Sequence, residues 1–536
     1  MSLSKHINPD GLLQASRDKK HASHFHSLTQ RQPQASISHA YGARYGTQPI
    51  PKFQLPSKGI DPEAAYQVIH DELALDGSPL LNLASFVHTW MPPPADKLMM
   101  ENMSKNLIDT DEYPMTRVSI LADMWHAPSA QKAIGTATTG SSEAIQLGGL
   151  AMKRIWQEKR KAAGKSIHEP GPNIIMGANA QVALEKFASR SFPFTPRCRL
   201  VPISVESHYR IDPKKTMELV DENTIGIFVI LGSTYTGHYE PVKEIADLLD
   251  EYEAKTGHSV PIHVDGASGA FVAPFATPKL LWDFKIPRVV SINTSGHKFG
   301  LAYVGVGWVI WRDQHHLPKD LIFELHYLGS VEYSFSLNFS RPAAPIIAQY
   351  FNFISLGFEG YRAIALNDMK NARLLSRALE NSKYYTVLSD IHRIDPNAAS
   401  VKGAVDEEDV ESYVAGLPVV AFRFSDELQQ QYPEIQQKWI QTLLRVKGWI
   451  VPNYELAPGL EKTEILRVVV RENMTDVLIE RLVNDLMQIT EELVTKDSSM
   501  HALDALGSAQ ATHHSEKAHG KLDEGSASSG TYAKAC

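Results

Sequence analysis

The sequence predicts an α/β fold, in which a large domain built on a mainly parallel sheet is followed by a smaller α+β C-terminal domain. From Gly135 to about Asp313, short β-branched runs alternate with helical patterns, and the runs are apolar on both faces. That combination is typical of a parallel sheet covered by helices on both sides. After about Ala365 the pattern changes to strands mixed with helices, which indicates the second domain.

The elements of the large domain are predicted from β-branched runs of strand length and from the apolar spacing of helices. Its strands are predicted at residues 173–177, 200–204, 225–230, 260–264, 289–293 and 305–310. Its helices are predicted at residues 145–156, 181–190, 213–223 and 242–255. The smaller domain is predicted to contain strands at residues 419–424 and 465–470 and helices around residues 433–447 and 475–493. Because ligands in such sheets bind beyond the carboxyl ends of the strands, a site is expected in the loops that follow them.

Four segments of different composition divide the chain. Residues 1–60 are rich in Ser, His, Gln and Pro with little apolar periodicity, so we interpret them as a flexible N-terminal arm. The large domain is assigned to residues 61–364 and the small domain to residues 365–494. Residues 495–536 contain hardly any large apolar side chain and are interpreted as a disordered tail. Histidines in this tail could bind a metal or be solvated; the solvated interpretation is favoured, and no metal site is predicted.

Length, charge and cysteine usage exclude several functional classes. A chain of 536 residues is too long for one ordinary core. A net charge of -8 without a concentrated basic surface argues against nucleic acid as a partner. Two cysteines cannot make a disulfide framework, which indicates a reducing compartment. No apolar run approaches the ~20 residues of a membrane span, and the N-terminus lacks a signal core, so we expect a cytoplasmic protein without a membrane partner.

The most informative stretch is Ser295-Gly-His-Lys298-Phe-Gly300, which directly follows a strand predicted to end at Asn293. A lysine in a glycine-flanked loop at the carboxyl end of a core strand points into a ligand crevice, where solvation is poor. Poor solvation disfavours the ammonium form and yields the free amine that condenses with an aldehyde. On this stretch alone, an ordinary surface lysine stays an alternative.

Two further stretches suit a flat, phosphorylated ligand. Asp265 ends the apolar run Ile262-His-Val-Asp265, and the small residues after it let such a ligand approach the backbone. A carboxylate there would keep a weakly basic pyridine nitrogen protonated, although a helix cap or a turn is the alternative role. The Gly/Ser/Thr-rich residues 135–144 lead into a helix, whose free N–H groups and dipole suit a phosphate. An ordinary capping pattern is the alternative for that stretch.

Together these stretches resemble the group II pyridoxal-phosphate decarboxylases, and within them the glutamate decarboxylases. The resemblance covers nearly all of residues 50–490. Its specific segments are residues 66–77 (YQVIHDELALDG), 140–144 (GSSEA), 221–226 (DENTIG), 234–237 (TYTG), 295–302 (SGHKFGLA), 307–313 (GWVIWRD) and 338–342 (NFSRP). It implies the fold-type I architecture, pyridoxal 5'-phosphate as cofactor, and a lyase that converts L-glutamate to 4-aminobutyrate and CO2. It also implies a homodimer or a higher homo-oligomer.

The resemblance assigns roles to residues of the cofactor site. Lys298 looks like the lysine that holds the cofactor, and Asp265 like the partner of its pyridine nitrogen. Phosphate and near-cofactor ligands are implied at Ser141, Ser142, Ser295 and His297. Ser340 is expected to reach the phosphate from a neighbouring subunit, and Thr234 to lie beside the cofactor ring. Gln181 stands where many relatives have a stacking histidine and where glutamate decarboxylases of bacterial and plant type have Gln. The expected catalytic residues are Lys298, Asp265, Gln181 and His297.

Three residues match positions that hold the substrate in the family. Thr89 and Asn106 match those near the side-chain carboxylate, and Arg467 matches a small-domain arginine near the α-carboxylate. A salt bridge between domains is the alternative role for Arg467. The C-terminus lacks both the site-plugging histidine of the bacterial type and the basic, Trp-bearing helix of the plant type, so no calmodulin partner is expected. Rival hypotheses are another amino acid as substrate, a lyase or aminotransferase on the same fold, and an inactive homologue that acts as a scaffold.

Overall fold

The computed structural model describes residues 55, 59, 61–106, 113–128, 130, 134–188, 196–325, 332–338, 340–396 and 409–495. The predicted arm and tail therefore fall almost wholly outside the described residues. The chain divides into two compact units, residues 1–78 and 79–536. In the first unit, helix α1 (Pro62–Leu73) is capped by Asp61, whose carboxylate accepts hydrogen bonds from the N–H groups of Glu63 and Ala64.

A seven-stranded sheet forms the centre of the second unit. Its strands are β1 (Ile134–Thr138), β2 (Asn173–Gly177), β3 (Arg197–Val201), β4 (Thr224–Ile230), β5 (Ile262–Asp265), β6 (Val289–Ser295) and β7 (Gly307–Trp311). Their order across the sheet is β1-β7-β6-β5-β4-β2-β3. The pairs among β2 to β6 are parallel, whereas β7 runs antiparallel to both β6 and β1. The mainly parallel sheet predicted from the sequence is confirmed.

Every residue of β4, β6 and β7 is buried. The helices of this region are α2 (Pro93–Glu101), α3 (Tyr113–Met124), α4 (Ser141–Ala162), α5 (Val182–Phe187), α6 (Pro213–Glu218), α7 (Val242–Thr256) and α8 (Ala273–Ala276). Helix α4 approaches its neighbours closely because it carries two glycines. A Cβ on Gly149 would lie 2.4 Å from the Phe187 ring, and one on Gly148 would lie 2.6 Å from the His263 ring.

Within the large sheet, two strands differ most from the prediction. Strand β3 begins at Arg197, earlier than the predicted residue 200, because an edge strand exposes some of its side chains and apolar runs alone do not mark its start. Strand β1 lies in the Gly/Ser/Thr-rich stretch, whose small and polar residues predict a loop that leads into a helix and not a strand. Gly135 in β1 has no room for a side chain: a Cβ there would lie 2.6 Å from Ile310 Cδ1 of β7.

A 38-residue helix, α9 (Ala344–Asn381), follows the short antiparallel pair β8 (Phe323–Leu325) and β9 (Glu332–Ser334). It breaks at Gly357, whose φ of 58° favours glycine. The predicted domain boundary at 364/365 falls inside α9, and the division into large and small domains stays a prediction.

A second, four-stranded antiparallel sheet follows α9, in the order β10-β11-β13-β12. Its strands are β10 (Tyr385–Val387), β11 (Val419–Phe424), β12 (Asn453–Glu455) and β13 (Glu464–Val469). The helices of this region are α10 (Asp426–Gln431), α11 (Lys438–Val446) and α12 (Asp476–Thr495). The smaller sheet predicted after the large one is therefore present, and β11 occupies its predicted residues. None of the described helices is long and apolar enough to cross a bilayer.

Candidate active site

Lys298 lies in the loop that follows β6, at the carboxyl edge of the large sheet. Its Nζ donates a hydrogen bond to Ser268 Oγ at 3.3 Å and lies 5.2 Å from the centroid of the Phe86 ring. Burial is the main reason why the pKa of Lys298 falls to about 8; the Arg467 guanidinium lowers it further, and the Asp265 carboxylate opposes both. Far more of this side chain is therefore free amine at neutral pH than in an ordinary lysine.

The glycines on either side of Lys298 are required by the space around the loop. A Cβ on Gly296 would lie 2.1 Å from Gln349 Oε1, and one on Gly300 would lie 2.6 Å from the Gly296 carbonyl oxygen. Gln349, on α9, also donates from Nε2 to the Gly300 carbonyl at 2.6 Å. The lysine loop is thus folded tightly against α9, which fixes the direction of Lys298.

Asp265 is the last residue of β5, and its carboxylate is buried. Its Oδ1 accepts hydrogen bonds from Asn293 Nδ2 at 2.9 Å and from the Ala267 N–H at 3.1 Å. Because β5 and β6 are parallel neighbours, Asp265 pairs with Asn293 in the sheet, at the edge from which the lysine loop departs. The turn interpretation of Asp265 accounts for the bond from Ala267, but the carboxylate also lies close enough to Lys298 to raise its pKa.

The N-terminus of α4 meets the end of β6. Ser141, the first residue of this 22-residue helix, has its Oγ 2.7 Å from Ser295 Oγ, and Ser142 beside it is exposed. Gly140 precedes the helix and offers no capping side chain, so the N–H groups of the first turn are not engaged by a cap. A Cβ on Gly307 would lie 2.5 Å from the Gly140 carbonyl carbon, so the glycine at position 307 permits the close approach of β7 to the start of α4.

His297 lies beside this helix terminus and next to Lys298 in sequence. Its Nδ1 is 2.8 Å from the Val306 carbonyl oxygen, so Nδ1 carries the proton and donates. Burial, assisted by Lys298, lowers the pKa of His297 to about 4, and the ring is neutral at pH 7. A neutral imidazole with a fixed tautomer leaves Nε2 as an acceptor.

Arg467, on β13, reaches the same aromatic ring as Lys298. Its Cζ lies 4.9 Å from the Phe86 centroid, Nη1 donates to the Thr234 carbonyl at 2.7 Å, and Nη2 donates to the Ala84 carbonyl. The buried Nε has no hydrogen-bond partner among the described residues. Arg467 therefore joins the segments of Thr234 and Ala84 through backbone carbonyl oxygens. The alternative role, a salt bridge between domains, would need a carboxylate partner instead. Gln181 also reaches Thr234, since its Nε2 donates to Thr234 Oγ1 at 2.6 Å.

Thr89 belongs to a segment that is tied to the lysine loop. The N–H of His88 donates to the His297 carbonyl at 2.9 Å, and Thr89 Oγ1 accepts a hydrogen bond from Asn473 Nδ2 at 2.9 Å. The expected substrate residue Thr89 is therefore adjacent in sequence to a residue that contacts the Lys298 loop.

Asn106 and Ser340 form a second group. Asn106 Oδ1 accepts from the Arg341 N–H at 3.1 Å, and Asn106 forms a β-bridge with Pro342. Ser340, next to Arg341, is exposed. In the described part of a single chain, neither Asn106 nor Ser340 belongs to the network of contacts around Lys298. That network joins Lys298, Asp265, Thr234 and Arg467.

Sequence reasoning missed four residues of the site region: Phe86, Glu143, Asn293 and Asn473. Glu143 follows Ser142 in the Gly/Ser/Thr-rich stretch before α4, where its sequence position fits an ordinary capping pattern. Its Oε2 accepts from the Thr139 N–H at 2.9 Å, while Oε1 accepts from the N–H groups of Leu337 and Asn338 at 3.1 and 3.2 Å. Glu143 thus fastens the segment that leads to Ser340 onto the start of α4.

Comparison with known proteins identifies the family. The family model described as the pyridoxal-dependent decarboxylase conserved domain matches residues 56–395. The chain belongs to this family. The glutamate decarboxylase of Saccharomyces cerevisiae is 48% identical over 469 residues, which cover 83% of this chain and 79% of that protein. The glutamate decarboxylase of Petunia hybrida is 44% identical over 505 residues, which cover 93% of this chain and 94% of that protein.

Solved structures agree with these relatives. The glutamate decarboxylase of Lactobacillus brevis superposes with a TM-score of 0.76 at 36% identity, covering 85% of this chain and 98% of that chain. A rice enzyme described as TDC with PLP has a TM-score of 0.63 at 14% identity, covering 83% of this chain and 90% of that chain. That second likeness concerns the fold alone. The fold-type I architecture expected from the sequence is confirmed.

The cofactor of this family member is pyridoxal 5'-phosphate, and the residues present fit its chemistry. An aldehyde needs a free amine, and the pKa of Lys298 is lowered to about 8. A protonated ring nitrogen needs an anion, and Asp265 is a buried carboxylate near that lysine. A phosphate needs donors, which the paired hydroxyls of Ser141 and Ser295 and the uncapped start of α4 provide.

Proposed function

We propose that the protein removes the α-carboxyl group of L-glutamate and releases 4-aminobutyrate and CO2. Relatives from yeast, petunia and Listeria that align over more than four fifths of this chain are glutamate decarboxylases. The observation that carries the proposal is the shared position of Lys298 and Arg467 at the Phe86 ring. It puts a cation suited to an α-carboxylate beside the amine that would hold the cofactor.

The cofactor roles expected from the sequence are proposed for the same residues. Lys298 would hold the cofactor, and Asp265 would face its ring nitrogen. Thr234 and Gln181, which hydrogen-bond each other, would lie beside the ring. The proposed phosphate and near-cofactor ligands are Ser141, Ser142, Ser295, His297 and, from a neighbouring subunit, Ser340.

Arg467 is proposed to orient the substrate through its α-carboxylate. Its two Nη atoms are engaged with backbone carbonyls, which fixes the plane of the guanidinium, while the buried Nε is left for a further acceptor. The bond to the departing carboxyl group must stand perpendicular to the cofactor ring for its electrons to enter the π-system. A rigid guanidinium that holds one carboxylate oxygen would favour that orientation.

Thr89 and Asn106 are proposed to receive the side-chain carboxylate. Both offer uncharged donors, whereas an indole or phenol would leave them unpaired at roughly 1–3 kcal/mol for each buried group. Aspartate carries the same charge as glutamate but is one methylene shorter. Its side-chain carboxylate could not reach these donors while its Cα stayed in the reactive position, so we expect glutamate to be preferred.

The reaction replaces a carboxyl group with a proton, so each turnover consumes one proton. When bound, the cofactor supplies an aldehyde for the substrate amine and a ring that accepts the electron pair left by CO2. Lys298 Nζ, whose pKa of about 8 lies near neutrality, can take up a proton from solvent and deliver it to Cα. Asp265 would keep the ring nitrogen protonated throughout.

The assembly and location of the protein are also proposed. We infer a homodimer or higher homo-oligomer, because Ser340 is expected to complete the phosphate site of a neighbouring subunit. We also propose a cytoplasmic location and expect no membrane or calmodulin partner; a net charge of -8 without a concentrated basic surface supports the expectation that nucleic acid is not a partner.

Product analysis tests this function. The purified holoenzyme would be incubated separately with L-glutamate, L-aspartate, L-tyrosine and DOPA, and the amine and CO2 formed would be quantified. We expect the highest kcat/KM with L-glutamate. Faster turnover of aspartate or of an aromatic amino acid would overturn the substrate and leave the cofactor assignment intact. Absence of any product, together with absence of cofactor absorbance, would favour the scaffold hypothesis.

A further inference from the structure

His263 is buried in the centre of the large sheet and has no part in the chemistry described above. It precedes Asp265 by two positions on β5, so the two side chains lie on the same face of the strand. Nδ1 of His263 is 2.7 Å from Ser291 Oγ, and Nε2 is 2.7 Å from Asn293 Oδ1. Asn293 donates from Nδ2 to Asp265 Oδ1 at 2.9 Å. A continuous chain of hydrogen bonds therefore runs from Ser291 to Asp265.

The chemistry of the groups fixes the direction of these hydrogen bonds. Asn293 Oδ1 can only accept, so His263 Nε2 must carry a proton. Burial lowers the pKa of His263 to about 4, so the ring is neutral at pH 7. Nδ1 then has no proton and accepts from the hydroxyl of Ser291.

The orientation of the Asn293 amide determines which state of Asp265 is favoured. With its oxygen held by His263, the amide presents its NH2 group to the carboxylate, which suits an ionised acceptor. The opposite orientation would set the amide oxygen against Asp265 Oδ1, and only a protonated carboxyl could then form a hydrogen bond. The residue at position 263 thus determines, through the orientation of the Asn293 amide, whether the charged form of the Asp265 carboxylate is favoured.

We propose that His263 is a positioning residue for the cofactor: by fixing the Asn293 amide, it keeps Asp265 an ionised acceptor for the protonated ring nitrogen. The inference rests on the role proposed above for Asp265. It adds two residues to that site, His263 and Asn293. In this role both act through Asp265 and neither contacts the cofactor.

The packing around His263 holds the ring in this orientation. The Phe228 ring meets it edge-on, with centroids 5.0 Å apart and an interplanar angle of 62°. On α4, Gly148 leaves room for the imidazole, because a Cβ there would lie 2.6 Å from His263 Cε1. A phenylalanine could fill the same space without the two hydrogen bonds, which makes His263→Phe the informative variant.

The test compares two cofactors on the apo-protein. One is pyridoxal 5'-phosphate, and the other is its 1-deaza analogue, in which a carbon atom replaces the ring nitrogen. Dissociation constants would be measured by equilibrium dialysis for the wild type and for His263→Phe, Asn293→Ala and His263→Gln. A role through the ring nitrogen predicts that His263→Phe and Asn293→Ala weaken binding of the natural cofactor about tenfold and change binding of the analogue less than twofold. His263→Gln keeps a donor for Asn293 Oδ1, so it should recover part of the loss.

A control separates this role from general stability. His392 is also buried, with its Nε2 3.0 Å from Glu380 Oε2. We expect His392→Phe to lower the unfolding temperature without changing the ratio of the two dissociation constants. Asn293→Ala keeps the proposal testable if His263→Phe does not fold.

The outcomes distinguish failure of this inference from failure of the proposed site. If Asp265→Ala does not reduce the preference for the natural cofactor, the role of Asp265 itself is wrong. If Asp265→Ala reduces it while His263→Phe and Asn293→Ala weaken both cofactors equally, His263 is only structural and the inference is overturned. Unchanged binding of both cofactors in the two variants would overturn it as well.

Discussion

Asn473 Nδ2 donates a hydrogen bond to Thr89 Oγ1 at 2.9 Å, although the two residues are 384 positions apart in the sequence. Nearby, Arg471 donates from Nη1 to the Val87 carbonyl and from Nη2 to the Asn82 carbonyl. Residues after β13 therefore hold the segment that carries Thr89. Because the Thr89 oxygen accepts from Asn473, its own proton is left to donate to a carboxylate.

Variants of Asn473 should change the choice between substrates. Asn473→Ala removes the hydrogen bond that orients Thr89, so we expect kcat/KM for glutamate to fall about tenfold, which corresponds to about 1.4 kcal/mol. Asn473→Asp should lose more, because the Thr89 hydroxyl would donate to the new carboxylate and the added charge would repel the substrate. Steady-state kinetics with glutamate and aspartate measure both effects. If Asn473→Ala and Thr89→Ala each lowered kcat/KM by the same factor for glutamate and for aspartate, contact between Thr89 and the side-chain carboxylate would be ruled out.

The lowered pKa of Lys298 predicts how cofactor incorporation depends on pH. Only the free amine attacks the aldehyde, so the rate constant should rise with pH through the pKa of about 8 and level off above it. An ordinary lysine would give a rate that still rises near pH 10. The measurement is stopped-flow absorbance of apo-protein mixed with pyridoxal 5'-phosphate from pH 6 to 10.

Two controls accompany this measurement. Nα-acetyl-lysine mixed with the same cofactor corrects for ionisation of the cofactor itself. Lys298→Ala should show neither turnover nor the absorbance change that follows mixing of wild-type apo-protein with the cofactor. Retained steady-state activity in that variant would overturn the assignment of Lys298.

The same lysine should reduce the stability of the apo-protein at neutral pH. Its folded pKa of about 8 lies below that of an unfolded lysine, so the folded state binds the proton less tightly. The resulting penalty is fully present below pH 8 and disappears as pH rises through the unfolded value of about 10.4. Lys298→Met should therefore stabilise the apo-protein by roughly 1–3 kcal/mol at pH 7, measured by denaturant unfolding, and the gain should shrink towards pH 10. A gain that does not vary with pH would mean that packing is responsible.

The residues that could be predicted from the sequence share one property: a local pattern identifies them. Lys298 and Asp265 each end or follow an apolar strand and stand beside glycines, so the loop after the strand marks them without knowledge of the fold. Phe86 and Asn473 lack such a pattern. They belong to the site region because distant segments meet there, and a single sequence does not record which segments will meet.

Two features of the elements were beyond sequence prediction for a related reason: strand β1 was missed, and helix α9 spans the domain boundary at 364/365, which stays a prediction. Apart from Ile134, strand β1 consists of small and polar residues and is stabilised by pairing with β7, so its own composition gives only a weak strand signal. Helix α9 runs through the predicted boundary at 364/365, because one continuous helix can join two regions whose strand patterns differ. A change in composition shows where one strand pattern gives way to another. The bounds of the helix that joins the two regions are determined by tertiary packing.

The last prediction concerns the shared site expected at Ser340. Glu143 binds the backbone N–H of Asn338, two residues before Ser340, and Asn106 binds that of Arg341, directly after it, so the backbone on both sides of this exposed residue is anchored to its own chain. If Ser340 completes the phosphate site of a neighbour, a Lys298→Ala chain and a Ser340→Glu chain should complement each other when mixed. Random pairing at equal amounts makes half of the dimers mixed, and each has one intact site, so about a quarter of wild-type activity should return. A mixture of Lys298→Ala and Asp265→Asn chains is the matched control, because both changes fall in the same half of the site and no intact site can form. Native mass spectrometry would verify that the chains mix, and mixed dimers without activity in the first pair would contradict a shared site.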